Sequence, residues 1–225
     1  MEPTLAWLED PTVFRVNRLD AHSDHVTYLD IQELAAGKTS LRQSLDGLWR
    51  FRWSENPESR PADFWKPDFD DSDFDTIQVP GHMETQGYDR IQYINKLYDW
   101  DGHAELRPPH IDWRHDPVGS YVTCFDLEET LLEHPVCISF QGVEQAMYVW
   151  LNGHFVGYSE DSFTPSEFDL SPYIHPTGNR LCVEVYKRSS AAWLEDQDFF
   201  SFSGIFRSVY LYAKTKCYVE DLWLN

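Results

Sequence analysis

The residues best able to do chemistry are densest in one run, Trp193-Leu194-Glu195-Asp196-Gln197-Asp198-Phe199-Phe200-Ser201-Phe202-Ser203-Gly204-Ile205-Phe206-Arg207. Three carboxylates and an amide sit between a tryptophan and two phenylalanines, and a Ser-Gly turn and an apolar pair closed by an arginine follow. Carboxylates accept hydrogen bonds and an aromatic rim offers apolar faces. Together they suit a polyhydroxylated ligand or a hard cation such as Na⁺, Mg²⁺ or Ca²⁺. An acidic surface loop whose aromatics serve the core has the same composition, and residue types alone leave both readings open. Strand-like runs flank the stretch, Leu181 to Tyr186 and Ser208 to Tyr212, so it reads as a connection inside a β structure.

The elements that must position this run are short strands. Trp49, Phe51 and Trp53 alternate with basic residues, the period of a half-buried strand. Thr76 to Val79 is a short strand stopped by Pro80. After Gly119 come Ser120 to Leu127, Val136 to Gln141, and a hairpin from Ala146 to Tyr158. Its Asn152-Gly153 turn is a strong type I′ signal. Glu167 to Ser171 reads as turn-like, and Cys217 to Leu224 as a last strand. Residues 1 to 44 look like an extended arm, with a short helix over Asp30 to Ala36 ended by Gly37. Residues 81 to 118 form a long aromatic-rich region of little periodicity, too aromatic for disorder. The expected fold is all-β, a jelly-roll β-sandwich with an extended N-terminal arm: arm 1–44, sandwich 45–215, and 216–225 opening a further β-sandwich. Helices long enough for crossovers are missing, which disfavours a parallel α/β fold.

Composition narrows the partners. The 225 residues carry 18 basic and 38 acidic side chains, a net charge of −20. Such a surface repels nucleic acid and anionic membrane, so neither is an expected partner. None of the four cysteines forms a C-x-x-C pair, which argues against zinc. Cys124, Cys137 and Cys182 sit in strand-like runs, where reduced core thiols are the default. His82, His103, His110 and His115 are spaced by 21, 7 and 5 residues, which fits no metal motif. Trp100 and Trp113 read as packing residues. The N-terminal residues lack a basic region followed by an apolar one, and a cytoplasmic location is expected.

An ordered set of motifs resembles one family over nearly the whole chain. It runs through Val16-Asn17-Arg18-Leu19-Asp20-Ala21-His22, Leu45-Asp46-Gly47-Leu48-Trp49-Arg50-Phe51, Val79-Pro80-Gly81-His82-Met83-Glu84 and Tyr93-Ile94-Asn95. It continues through Trp150-Leu151-Asn152-Gly153, Pro165-Ser166-Glu167-Phe168-Asp169-Leu170-Ser171 and the acidic run. These resemble the N-terminal part of glycoside hydrolase family 2 β-galactosidases, most of all the large subunits of the two-subunit enzymes of lactic acid bacteria. The resemblance implies a galactose-binding-like jelly roll whose catalytic glutamates lie on a barrel outside residues 1–225, so that this chain alone is inactive. It implies a β-galactoside ligand, such as lactose, with the remainder of the enzyme or its small subunit as partner. It places two substrate-binding residues here, Asn95 and Asp198, with Asp198 also a ligand of a shared Na⁺. Glu195 and Asp196 are expected to hold the loop by hydrogen bonds, with Arg207 as a candidate partner. Mg²⁺ is also implied for the complete enzyme, but Trp7 and Ser190 stand where relatives carry the carboxylates of an arm-to-sandwich Mg²⁺ site. An autonomous carbohydrate-binding module and a non-catalytic scaffold fragment are the alternative functions.

Overall fold

The computed structural model describes residues 2–98, 100–102 and 105–225, with Ile94 as backbone only. Its strands are β1 (Arg15–Val16), β2 (Arg42–Ser44), β3 (Gly47–Ser54), β4 (Asp75–Val79), β5 (Gln92–Ile94), β6 (Val118–Phe125), β7 (Val136–Phe140) and β8 (Val143–Glu144). They continue with β9 (Ala146–Leu151), β10 (His154–Ser159), β11 (Ser166–Asp169), β12 (Asn179–Tyr186), β13 (Phe199–Ser201), β14 (Gly204–Ile205) and β15 (Val209–Ala213). One antiparallel sheet has the order β1-β10-β9-β12-β6-β3-β4 and the other β11-β7-β15-β2, and β13-β5 and β14-β8 are two-stranded ribbons. Among the described residues the α-helices are α1 (Ile31–Ala36) and α2 (Ala192–Glu195). No helix among the described residues is long and apolar enough to cross a membrane.

The central strands are apolar on both faces because both faces are covered. Met147, Val149 and Leu151, with Leu181, Val183 and Val185, point between the sheets and meet Ile138, Phe140 and Leu211. The alternate residues Ala146, Tyr148 and Trp150, with Cys182 and Tyr186, point the other way into a second core. Trp7, Leu8, Phe64, Phe74 and Ile111 cap that second core from the arm and the long loops. Period-two alternation thus divides one strand between two apolar environments. Each large side chain so buried contributes about 2–3 kcal/mol.

The arm is more than a strap. β1 pairs with β10 and β2 pairs with β15, so the arm supplies an edge strand to each sheet. Asp30 caps α1 by accepting from Gln32 and Glu33 amides, and Gly37 ends it at φ +64. The Asn152-Gly153 turn has φ of 51 and 83 at its two positions, as a type I′ turn requires.

Three expectations are corrected. Glu167 lies in a strand, β11, because Ser166 to Asp169 pair with β7 and Phe168 fills the core between the sheets. Cys217 to Leu224 is not a strand; it runs beside arm residues 23–25, and its contacts there are hydrogen bonds to Ser23 and His25 rather than a ladder. Cys124 is exposed because it lies next to the end of β6, beyond the cover that the second core gives Val118 and Val122 on the same face, whereas Cys137 and Cys182 are buried.

Candidate functional site

The acidic run is built so that two of its acids turn inward and one turns outward. The Glu195 carboxylate, at the end of α2, accepts from the Ser162 hydroxyl and amide. Asp196 is buried and accepts from the Gln145 side-chain amide. Both therefore hold the loop, as their hydrogen-bonding role predicts. Arg207 is not their partner: it donates to the Phe163 and Gln141 carbonyls instead. Asp198, two residues further on, is exposed and has a positive φ of 54.

Asp198 is placed by the β13-β5 ribbon. Phe199 pairs with Ile94 and Phe200 with Tyr93, and Asp198 and Asn95 are the residues next to that end of the ribbon. Both residues are exposed. The Tyr93 hydroxyl donates to Asp198 Oδ1 at 2.8 Å, and the Tyr93 ring leans on Phe200 at 5.1 Å. This bond to a carboxylate pushes the Tyr93 phenol above its ordinary value. Among the described residues Asp198 Oδ2 and the Asn95 side chain accept or donate no other hydrogen bond, which leaves both able to meet an outside ligand. Phe199, Phe200 and Tyr93 are each about half exposed and form the rim.

Behind the ribbon, a buried charge network fixes the loop. Lys187 donates to Glu84 at 2.8 Å and to Asp89 at 2.7 Å, and both Lys187 and Glu84 are sealed from solvent. Glu84 also accepts from the Ser203 amide and hydroxyl. The next turn is pinned by Met83 donating to the Ser203 carbonyl and Gly81 to that of Ile205. The His82 ring lies between those of Phe202 and Phe206, at 4.5 and 5.0 Å, and burial pulls its pKa down. Its Nδ1 is 3.5 Å from Glu144. Burial, reinforced by Asp196, Glu84 and Glu195 and opposed by Lys187, pushes the Glu144 carboxyl up to about 8. None of this was legible beforehand, because burial of a charge leaves no mark in residue order.

The other flank is aromatic. Trp100 is buried, stacks on Tyr98 at 4.8 Å and meets Trp193 edge-on at 4.7 Å, while Tyr98 donates to the Trp193 carbonyl. Trp100 is thus a clamp between the 81–118 region and α2. Trp113 is partly buried against the second core.

The oxygens on offer to a cation are those of Asp198 and Asn95, hard donors of the type an alkali ion takes but too few to enclose it. Among the described residues no three His, Cys, Asp or Glu side chains are grouped to hold a metal ion. His103 lies outside the described residues; His115 bonds Asp112, and His110 faces Glu9 at 3.5 Å. The positions expected for Mg²⁺ do not fit one. Trp7 is stacked on Tyr148 in the second core, and the Ser190 hydroxyl donates to Glu160. Glu160 also accepts from Tyr158, and burial raises its carboxyl to about 7.

A "Beta-galactosidase" of Clostridium acetobutylicum is 56% identical over 225 residues, which are all of this chain and 25% of that protein. A "Beta-galactosidase large subunit" of Leuconostoc lactis is 54% identical over 99% of this chain and 37% of its own length. The chain thus spans about a quarter to two fifths of the length of these relatives. The solved β-glucuronidase of an uncultured Clostridium sp. superposes on 88% of this chain and 32% of its own with a TM-score of 0.59 at 20% identity, a likeness of fold. Residues 42–215 match the sugar binding domain of glycosyl hydrolases family 2, and the chain belongs to that family.

Proposed function

We propose that this chain is the sugar-binding portion of a β-galactosidase, an enzyme that releases terminal non-reducing β-D-galactose, and that Asp198 and Asn95 are its contribution to the galactose pocket. The observation that carries the reading is the exposed Asp198 at the end of the β13-β5 ribbon, with Tyr93 holding one of its oxygens and leaving the other open, and with Asn95 exposed next to the same end. An anionic acceptor and an amide, which both donates and accepts, are the groups that read sugar hydroxyls. The relatives named β-galactosidase, matched along the whole chain, supply the substrate class.

The hydrolytic step belongs elsewhere in this reading. Retaining glycoside hydrolysis uses two carboxyl groups about 5 Å apart across the scissile bond. Here Glu195, Asp196 and Glu84 are each engaged in holding the loop. The catalytic glutamates are assigned to a barrel in the remainder of the enzyme or its partner subunit. Asp198 would serve as one ligand of a Na⁺ shared with that remainder, and the cation would supply a positive centre for a sugar hydroxyl. The exposed rim of Tyr93, Phe199 and Phe200 also favours a second reading, an autonomous carbohydrate-binding module.

A crystal structure of the complete protein with galactose decides between them. The reading requires sugar or its bound cation within hydrogen-bonding or ligand distance of Asp198, with Asn95 in reach. A sugar seated away from the ribbon contradicts it. Galactose-induced NMR shifts at Tyr93 and Phe200 in this chain alone, at sub-millimolar sugar, support the autonomous module.

A further inference from the structure

Away from the sugar site, the outer face of β15 carries an arrangement that the proposed function does not use. His22 Nδ1 lies 2.8 Å from the Ser23 carbonyl oxygen, and His22 Nε2 lies 2.8 Å from Glu167 Oε2. That same Glu167 oxygen already accepts the Tyr212 hydroxyl at 2.7 Å, so it is an acceptor toward His22 as well. His25 repeats the pattern. Its Nδ1 is 2.9 Å from the Ser23 carbonyl and 3.2 Å from the Ser23 hydroxyl, and its Nε2 is 2.8 Å from the Val219 carbonyl. A neutral imidazole has one N–H and one lone pair. Between two acceptors it can satisfy only one of them and must set a lone pair against the other. An imidazolium satisfies both. For His25 the Ser23 hydroxyl offers the neutral ring a donor, so His22 is the stricter case.

These contacts tie together pieces that the strands do not. The Ser23 amide donates to Asp221 at 2.8 Å, and the Leu222 amide donates to the Ser23 hydroxyl at 2.9 Å. Arg42 donates to the His25 carbonyl. Residues 22–25 of the arm and residues 219–222 are therefore held to each other and, through Glu167 and Tyr212, to the second sheet.

We propose that His22 works a proton-operated latch: as an imidazolium it fastens the arm, and through Ser23 and His25 the 219–222 segment, to the face of the second sheet, and loss of its proton frees both. The charges around the latch set its balance. Glu167 and Tyr212 face it from the sheet, Asp20 and Asp24 lie along the arm, Glu220 and Asp221 come from the terminal segment, and all but the tyrosine favour a cation. Arg42, stacked on Tyr210, and Lys214, paired with Glu220, oppose it. Burial works against the His22 charge, but the bonds to Ser23 and Glu167 and the field of Glu220 outweigh it, so the His22 pKa is raised. A cavity of about 100 Å³ beside the two rings gives water access for proton exchange. The latch is closed below the raised pKa and opens as pH climbs through it.

The test is heteronuclear NMR on this chain, following the ring nitrogens of His22 and the ¹H–¹⁵N NOEs of residues 22–25 and 219–222 between about pH 6 and 9. The latch predicts both His22 nitrogens protonated at the low end, and NOEs in the two segments that fall together as His22 titrates. It predicts that His22→Gln lowers those NOEs already at about pH 6 and removes their pH dependence, and that Glu167→Gln lowers the His22 pKa by about one unit or more. A neutral His22 at the low end overturns the proposal. So do segments that stay ordered while His22 titrates, or a His22→Gln chain as ordered as the wild type. Should a variant fail to fold, the wild-type titration decides by itself.

Discussion

Glu144→Gln should change how stability depends on pH. Glu144 is 2% exposed, on β8 beneath the His82 ring, and burial raises its carboxyl from 4.5 to about 8. In the unfolded chain it loses its proton near pH 4.5, whereas in the folded chain it keeps it to about pH 8. Between those values the folded form binds the extra proton, so stability falls as pH rises. A displacement of this size corresponds to a ceiling of about 5 kcal/mol, at about 1.4 kcal/mol per pH unit. Glutamine mimics the protonated acid and has nothing to ionise. The variant should match the wild type near pH 5 and exceed it by about 2–5 kcal/mol near pH 8.5, or some 5 °C or more in Tm for a chain of this size. Glu160, raised to about 7, tilts both proteins alike, so the difference between them isolates Glu144. Urea denaturation at several pH values reads it. A difference that stays flat within about 0.5 kcal/mol from pH 5 to 8.5 refutes the protonated, buried Glu144.

Three further outcomes follow from named contacts. Lys187→Met leaves Glu84 and Asp89 facing each other without their cation and should cost about 3–5 kcal/mol in urea denaturation; a loss under about 1 kcal/mol would mean the triad is not structural. Gly153→Ala places a Cβ at positive φ and 2.9 Å from the Pro67 ring, so Tm should fall for a cost of about 1–2 kcal/mol, and an unchanged Tm contradicts the turn geometry. Asp198→Asn should lower the pKa of the Tyr93 phenol toward its ordinary value in an NMR titration, because the carboxylate it donates to has gone; an unmoved titration removes the Tyr93–Asp198 pair.

What could be read in advance was local. Asn152-Gly153 sets its own turn, Trp49 and Phe51 carry their own period, and Asp30 to Gly37 contain both helix caps. The acidic run could be singled out as a candidate site, because carboxylates between aromatics are unusual in a connection. What the order of residues could not show is set by partners distant in sequence. The β13-β5 ribbon exists only when residues about a hundred positions apart meet, and its strands of three residues are too short for any period. Glu167 read as turn because its neighbours Pro165, Asp169 and Ser171 are turn formers, yet pairing with β7 made it a strand. Cys124 looked like its buried counterparts because a strand run does not say where along its length the cover ends.

The central claim is that Asp198 serves a galactose pocket in the complete enzyme, and the kinetics of the Asp198→Asn enzyme test it most directly. The exchange keeps the size and one acceptor oxygen and removes the charge. A hydrogen bond or ligand contact to a charged group is worth about 1.5–3 kcal/mol, so kcat/KM for a β-galactoside should fall by roughly one to two orders of magnitude. Na⁺ activation should weaken in parallel, while the Asp196→Asn enzyme, altered at a buried loop contact, should lose mainly thermal stability. An Asp198→Asn enzyme with wild-type kcat/KM and an unchanged response to Na⁺ would contradict the account.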